Sequence, residues 1–221
     1  MSAAVEPARR GGLSPRTRTI VTAAVVVVVL VAMVLSTRFV PKGSTIAQGP
    51  AAFSATAYGK KQFPVQQRFV ETHAVDAATL VAALQKDPTA AAKQYGTAVN
   101  GGASTEVPVR FTGVLGKIPA AGYTPVTVSG LPSGYSINVQ VGPAITGTDL
   151  RDATGDKIQL GQFENQIQYQ DAGDAINVQL KSVLSEARAA DATGKTVEVT
   201  GVFPLVNPKV WNVTPATFSV R

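Results

Sequence analysis

The chain has no cysteine, one histidine and one tryptophan among its 221 residues. Without cysteine there is no disulfide, no thiolate nucleophile and no cysteine-ligated metal. The lone histidine, His73, finds no second imidazole with which to build a zinc site. No G-x-S-x-G motif accompanies it to suggest a Ser-His-Asp triad, so it reads as a surface residue near the first helix. Gly142, Gly147 and Gly155 do not form a phosphate loop, because the G-x-x-x-x-G-K pattern is missing. No cofactor is expected from these residues, and no internal repeat is visible.

What the chain does contain is a nineteen-residue uncharged run from Thr19 to Thr37, TIVTAAVVVVVLVAMVLST. At about 1.5 Å per residue a helix of that length spans roughly 28 Å, close to the hydrocarbon thickness of a bilayer. Eleven of its residues are Val, Ile or Leu. Their insertion free energies, about −0.3 to −0.6 kcal/mol each, sum to roughly −3 to −7 kcal/mol. Lipid offers no partner to a bare peptide group, so a single span must be helical, although valine is a mediocre helix former in water. Arg9, Arg10, Arg16 and Arg18 precede the run against one acid, Glu6. The positive-inside rule then keeps the N-terminus in the cytoplasm. The expectation is a single-pass protein of the cytoplasmic membrane with about 180 residues outside. A cleaved signal peptide is the alternative. Its apolar region usually runs about 7–15 residues and ends in small residues; this run is longer, and Val34 and Ser36 make a poor cleavage pattern.

The net charge of +6 is unevenly placed. Residues 1–18 carry +3, residues 38–95 carry +4 and residues 96–221 carry −1. A basic membrane-proximal half suits anionic lipid. The distal part has neither the positive footprint nor the aromatics of a nucleic-acid binder, so nucleic acid is not an expected partner.

Four segments follow from composition: a cytoplasmic tail (1–18), the anchor (19–37), a stalk and helical segment (38–100) and an extracytoplasmic domain (101–221). Pro41, Gly43, Gly49 and Pro50 mark the stalk. Asp76 reads as the N-cap of a helix through Leu80, Val81 and Leu84. Asp87-Pro88 opens a second helix, and Gly96 ends it. Asn100 to Ala103 reads as a flexible joint. Beyond it the hydrophobic period changes from 3.6 to 2: Val107, Val109 and Phe111; Val126 and Val128; Tyr135, Ile137, Val139 and Val141; Val197 and Val199; Ala216, Phe218 and Val220. One helix interrupts these strands, from Asp171 to Arg188, with Ile176, Leu180, Val183, Leu184 and Ala187 on one stripe. Asp171 and Asp174 are expected in its first turn. Three strands, one helix and two strands is the order of an OB-type five-stranded barrel, an α+β arrangement. A different α+β sandwich would read similarly.

The densest polar cluster is GPAITGTDLRDATGD, residues 142–156. Asp149, Asp152 and Asp156 invite a calcium reading, but their spacing of three then four does not fit an EF-hand loop. Turn-forming aspartates are the plainer reading. Arg151 beside Asp152 suggests a planar guanidinium fork clamping a carboxylate, internal or from a ligand. Trp211 and Tyr135 could stack on a sugar ring or base, although a lone aromatic on a strand is more often core. The amides of the segment 163–169 could serve a ligand or satisfy exposed barrel backbone.

Three stretches together resemble a bacterial family known as domain of unknown function 2291, described as predicted periplasmic lipoproteins. In VQVGPAITGTDLRDA the matching residues are Gly142, Pro143, Gly147, Thr148, Leu150, Arg151 and Asp152. In FENQIQYQDAGDAIN they are Phe163, Asn165, Gln166, Ile167, Tyr169 and Asn177. GKTVEVTGVF is the third stretch, and DPTAAAKQYG (87–96) fits a weaker N-terminal motif. The likeness covers about residues 50–220. It implies an extracytoplasmic domain, often encoded beside sugar ABC transporters of the ribose type, with no established activity. This chain lacks the lipobox cysteine of such lipoproteins, which leaves the helix as the tether.

Two classes of function remain. The first is a non-enzymatic, membrane-tethered accessory or binding domain whose partners are the bilayer and components of a sugar ABC transporter. The second is an extracytoplasmic hydrolase-like enzyme, which a cleft with two carboxylates at catalytic separation would favour. Gly142, Pro143, Gly147, Thr148, Arg151, Asp152, Phe163, Asn165 and Gln166 are the candidate ligand-binding or structural residues. No catalytic or metal-ligating residue is assigned.

Overall fold

The structure is a computed structural model that describes residues 15–36, 53–120, 122–142, 144–187 and 189–221. It divides into two units, Met1–Ala52 and Phe53–Arg221. In the first, α1 (Pro15–Ser36) is helical, and its part Thr19–Ser36 is long and apolar enough to cross a membrane. Its valines and leucines are exposed on every side, the pattern of a helix that needs an apolar medium rather than one packed face. Thr37, the expected stalk prolines and glycines, and Arg9 and Arg10 lie outside the described residues.

The second unit contains α2 (Ala55–His73), β1 (Val75–Asp76), α3 (Ala77–Lys86), α4 (Pro88–Tyr95), β2 (Thr97–Val99), β3 (Ser104–Leu115), β4 (Thr124–Thr127), β5 (Ser136–Val139), α5 (Asp149–Asp152), α6 (Gln166–Glu186), β6 (Thr196–Pro204) and β7 (Val210–Val220). Strands β3, β4, β5, β7 and β6 follow one another around a sheet that closes when β6 returns to β3. Closure runs through nine antiparallel pairs, from Glu106↔Pro204 to Val114↔Thr196. Among the described residues, only β5–β7 and the short β1–β3 contact are parallel. This is the five-stranded OB barrel, with α6 between the third and fourth barrel strands. β2 and β1 take up the edge of β3 that the short β4 does not reach. Val107, Val109, Phe111, Ile137, Val139, Val197, Val199 and Val213 fill the core. Trp211 is fully buried, stacks on Phe203 at 4.9 Å between ring centroids and donates its Nε1–H to Pro208 O at 2.9 Å. It is a core residue, and Tyr135 meets it edge-on.

The helices α3 and α4 start where their aspartates predict. Asp76 Oδ1 accepts from Ala78 N at 2.9 Å, Asp87 Oδ1 accepts from Thr89 N at 2.9 Å, and Gly96 caps the end of α4. Four expectations need correction. First, a nineteen-residue helix, α2, precedes the one expected at Asp76. Pro64 hides it in the sequence, since a proline costs a helix one backbone bond. Here Pro64 and Lys60 are both exposed, so water can take the freed carbonyl. Second, no boundary falls between residues 100 and 101, because 53–221 is one unit. The supposed joint is a turn with Asn100, Gly101 and Gly102 at positive φ, and Asp156 accepts from Asn100 N at 2.8 Å. Third, α6 begins at Gln166 rather than Asp171, because Asn165 caps it by accepting from Gln168 N at 3.0 Å. Asp171 and Asp174 therefore fall beyond its first turn; Arg188 is outside the described residues. Fourth, β7 begins at Val210, well before Ala216, because β5 supplies a parallel partner for Val210 to Val213.

One contact sets how closely α2 approaches α6. A Cβ on Gly59 would stand 2.3 Å from Ala175 O, so only a bare Cα fits. Gly59→Ala gains up to about 1 kcal/mol of helix propensity. It must also push two packed helices apart, an overpacking cost of about 1–3 kcal/mol. The expected outcome is a lower denaturant midpoint for Gly59→Ala than for the parent, with no such loss for Gly161→Ala, where a Cβ meets nothing within 4 Å.

Candidate functional site

The loop between β5 and α6 is fastened at several points by side chains of the barrel and of α6. Gln140, fully buried at the end of β5, donates from Nε2 to Thr146 Oγ1 and accepts from Thr146 N, both at 3.2 Å. Gly147 takes positive φ, which suits glycine, and its carbonyl accepts from Asn177 Nδ2 on α6 at 2.9 Å. Thr148 Oγ1 then donates to Asp152 Oδ2 at 2.6 Å. Arg151 donates from Nε to Asp152 Oδ1 at 2.8 Å and from Nη2 to Asp152 Oδ2 at 3.0 Å, a two-point fork between two residues each 7% exposed. Its guanidinium also lies over the Tyr169 ring, 3.9 Å from the centroid.

Around this pair is a buried acidic cluster that the barrel strands complete. Asp149 accepts from Thr214 Oγ1 of β7 at 2.6 Å; burial pushes its carboxyl up, and the Asp152 charge adds to that. Glu106, on β3, is 4% exposed. Ser104 donates to its Oε1 at 3.5 Å, and its buried Oε2 has no partner among the described residues. Burial, with the charges of Asp149 and Asp152 behind it, raises the Glu106 carboxyl to about 8. Tyr123 is raised for the same first reason, with Asp149 adding to it and a bond to Thr214 opposing. The three carboxyl groups are served differently. Asp152 takes the salt bridge, Asp149 takes a hydroxyl, and Glu106 keeps its proton at neutral pH.

The structure sorts the candidate residues plainly. Gly147, Thr148, Arg151 and Asp152 come together in this cluster. Asn165 is a helix cap, and Gln166 is an exposed first residue of α6. Phe163 joins Phe53, Tyr58 and Tyr169 in a group of rings 5.5–5.6 Å apart that borders Arg151 through Tyr169. Gly142 lies elsewhere, in a cleft of about 670 Å³ with Ile118, Val141, Lys181, Leu184 and Asp191. Pro143 is outside the described residues. The three aspartates of the calcium reading face different partners: Asp149 faces Thr214, Asp152 faces Arg151, and Asp156 faces the Asn100 backbone. Among the described residues, no group of histidine, aspartate and glutamate is placed to hold a metal ion. His73 is exposed, stacked on Phe69 at 4.0 Å.

Sequence reasoning missed Glu106, Thr214, Tyr123 and Tyr58. Glu106 directly precedes the alternation Val107, Val109, Phe111, where period two would place a carboxylate on the solvent face. It is buried instead, within reach of the Asp149 and Asp152 charges, and nothing local in the sequence announces that.

Two measurements test the cluster. Arg151→Ala leaves Asp152 buried without its cation, and loss of one partner of a buried pair costs about 3–5 kcal/mol. Denaturant melts are expected to show that loss, and Arg151→Lys is expected to recover only part of it, because an ammonium lacks the planar fork. The second concerns pH. Below the usual 4.5 Glu106 is protonated whether the chain is folded or not, and its full contribution is present. From there to about 8 the unfolded chain releases the proton and the native one holds it. Stability therefore falls with rising pH, by at most about 1.4 kcal/mol per pH unit. Glu106→Gln is expected to flatten that slope and to melt higher than the parent at the alkaline end.

The likeness to known proteins fits this architecture. A crystal structure of an OB-fold protein from Thermotoga maritima superposes with a TM-score of 0.62 at 18% sequence identity, over 77% of this chain and 99% of that one. That likeness shows the fold. No curated protein sequence matches the chain. The pattern of a family described as predicted periplasmic lipoprotein, DUF2291, matches residues 26–219. A match over that much of the sequence places the chain in the DUF2291 family.

Proposed function

We propose that this protein is a membrane-anchored accessory domain that works outside the cytoplasm by binding rather than by catalysis. The observation that carries this reading is that the polar cluster turns inward: the Arg151–Asp152 fork closes on itself, Asp149 is held by Thr214, and Glu106 is buried with its carboxyl raised to about 8. A glycosidase sets a protonated carboxyl and an ionised carboxylate on either side of an open cleft; Glu106 is buried and Asp152 is engaged by Arg151, which speaks against that arrangement. The uncharged helix Thr19–Ser36, behind four arginines, supports an inserted anchor with its N-terminus inside. The family description supports the extracytoplasmic side.

The ligand face on this reading is the cleft around Gly142, where an apolar floor of Ile118, Val141 and Leu184 carries Lys181, Ser185 and Asp191. A floor with a few convergent polar groups suits a small polar ligand. The resemblance to a family encoded beside sugar transporters makes a sugar the first class to try, with a transporter component as the partner. The enzymatic reading rests on one observation: a carboxyl raised to about 8 is poised to donate a proton near neutral pH. Its burial argues against it.

Two experiments test the proposal. A reporter active only outside the cytoplasm, fused after Arg221, is expected to be active; activity of a cytoplasm-only reporter there overturns the topology. In detergent, the full chain is expected to melt higher with the right sugar, through linkage, and Lys181→Ala is expected to lose that rise. Hydrolysis of a chromogenic glycoside that Glu106→Gln abolishes would instead establish the enzyme.

A further inference from the structure

We infer that the outer face of α2 is a docking surface for a bilayer leaflet containing anionic phospholipid, an inference that rests on α1 being a membrane anchor. The two faces of α2 are chemically opposite. Gly59, Phe63, Gln66 and Val70 are buried against the unit. Lys60, Lys61, Pro64, Arg68 and Thr72 are exposed on the other side, with Val65 54% exposed at their flank. Glu71 is the one acid on that side. The ion pairs among the described residues are Arg151–Asp152 and Arg221–Glu198, so none of these basic side chains is neutralised by a neighbour. Lys157 extends the basic face: its Nζ lies 5.5 Å from the Phe69 ring at the side of the helix.

Charge complementarity singles out an anionic surface as the occupant. A helix face with three unpaired cations and one acid attracts a negative leaflet, while residues 96–221 together carry a net −1. Each cation near such a surface strengthens association roughly fivefold. A net charge of two therefore shifts the docked population by roughly 25-fold, which is weak for a free domain. Tethering changes the outcome. Sixteen residues separate Ser36 from Phe53, at most about 58 Å of chain when fully extended. Confinement to that distance keeps the effective concentration of lipid high, so a modest preference decides which face meets the membrane. α1 enters only as the tether.

The chain has no native cysteine, so Val65→Cys gives the full-length protein a single position for a polarity-sensitive dye. The labelled chain is reconstituted in phosphatidylcholine vesicles with or without phosphatidylglycerol. The expected result is flotation with both, but a blue-shifted emission only with phosphatidylglycerol. High salt and the combined change Lys60→Glu, Lys61→Glu, Arg68→Glu are each expected to abolish the shift without lowering the melting temperature. Flotation with both vesicles and the same emission in each overturns the docking and leaves the anchor standing. Failure to float overturns the anchor itself. A blue shift that survives the charge reversal also overturns the proposal, because the face is then covered by a second copy of the chain or by apolar contact rather than by anionic headgroups.

Discussion

The return of β6 to β3 is the contact on which the rest of the domain depends. It turns an open sheet into a barrel, and it uses one whole edge of the longest strand. The other edge is left for β2, β1 and β4, each pairing with only a few residues of β3. A barrel of five strands must coil sharply, and two glycines sit where it does. A Cβ on Gly113 would stand 2.6 Å from Thr127 O, and one on Gly201 would stand 2.6 Å from Thr214 O. Gly201 also lies at the register shift between β6 and β7. Bulges with glycine are a common way to turn such corners.

The acidic cluster is attached to that closure. Glu106 is the first residue of the β3–β6 pairing and Thr214 the last of the β6–β7 pairing, so the residues that complete the barrel also contact the loop above it. Gathering three carboxyl groups, two of them buried and one paired with Arg151, is electrostatically expensive. Protonation of Glu106 removes one charge, and hydroxyl donors from Thr148 and Thr214 serve the other two. The result ties a fifteen-residue loop, residues 142–156, to the strands and to α6 through directional bonds. Hydrophobic packing alone would leave that loop free to slide.

What could be read from the sequence followed local periodicity and local caps. The apolar N-terminal helix, the aspartate-capped helices at Asp76 and Asp87, the strand alternation and, from it, the barrel order were all legible, because each element leaves its mark in its own stretch of chain. The pairing of Arg151 with Asp152 was legible too, since the two are adjacent. The failures were of another kind. Pro64 disguises α2, Asn165 reads as a ligand or backbone amide when it caps α6, and Gly101 reads as flexibility when it makes a tight turn. Glu106 and Thr214 were invisible as site residues because only the folded barrel brings them to Asp149, more than forty residues from either in sequence.

That separation has a kinetic side. The strands that seal the barrel, Ser104–Leu115 and Thr196–Pro204, are joined by 80 residues of intervening chain (116–195), and Val210–Val220 must arrive before β5 has its second neighbour. Non-local pairing of this kind is slow, because loop closure has to precede the contacts that reward it. While the C-terminal strands are still being made, the rest has no closed form to collapse into. Until β6 and β7 are in place, β3 and β5 each keep an open edge, the kind of edge on which another strand can pair.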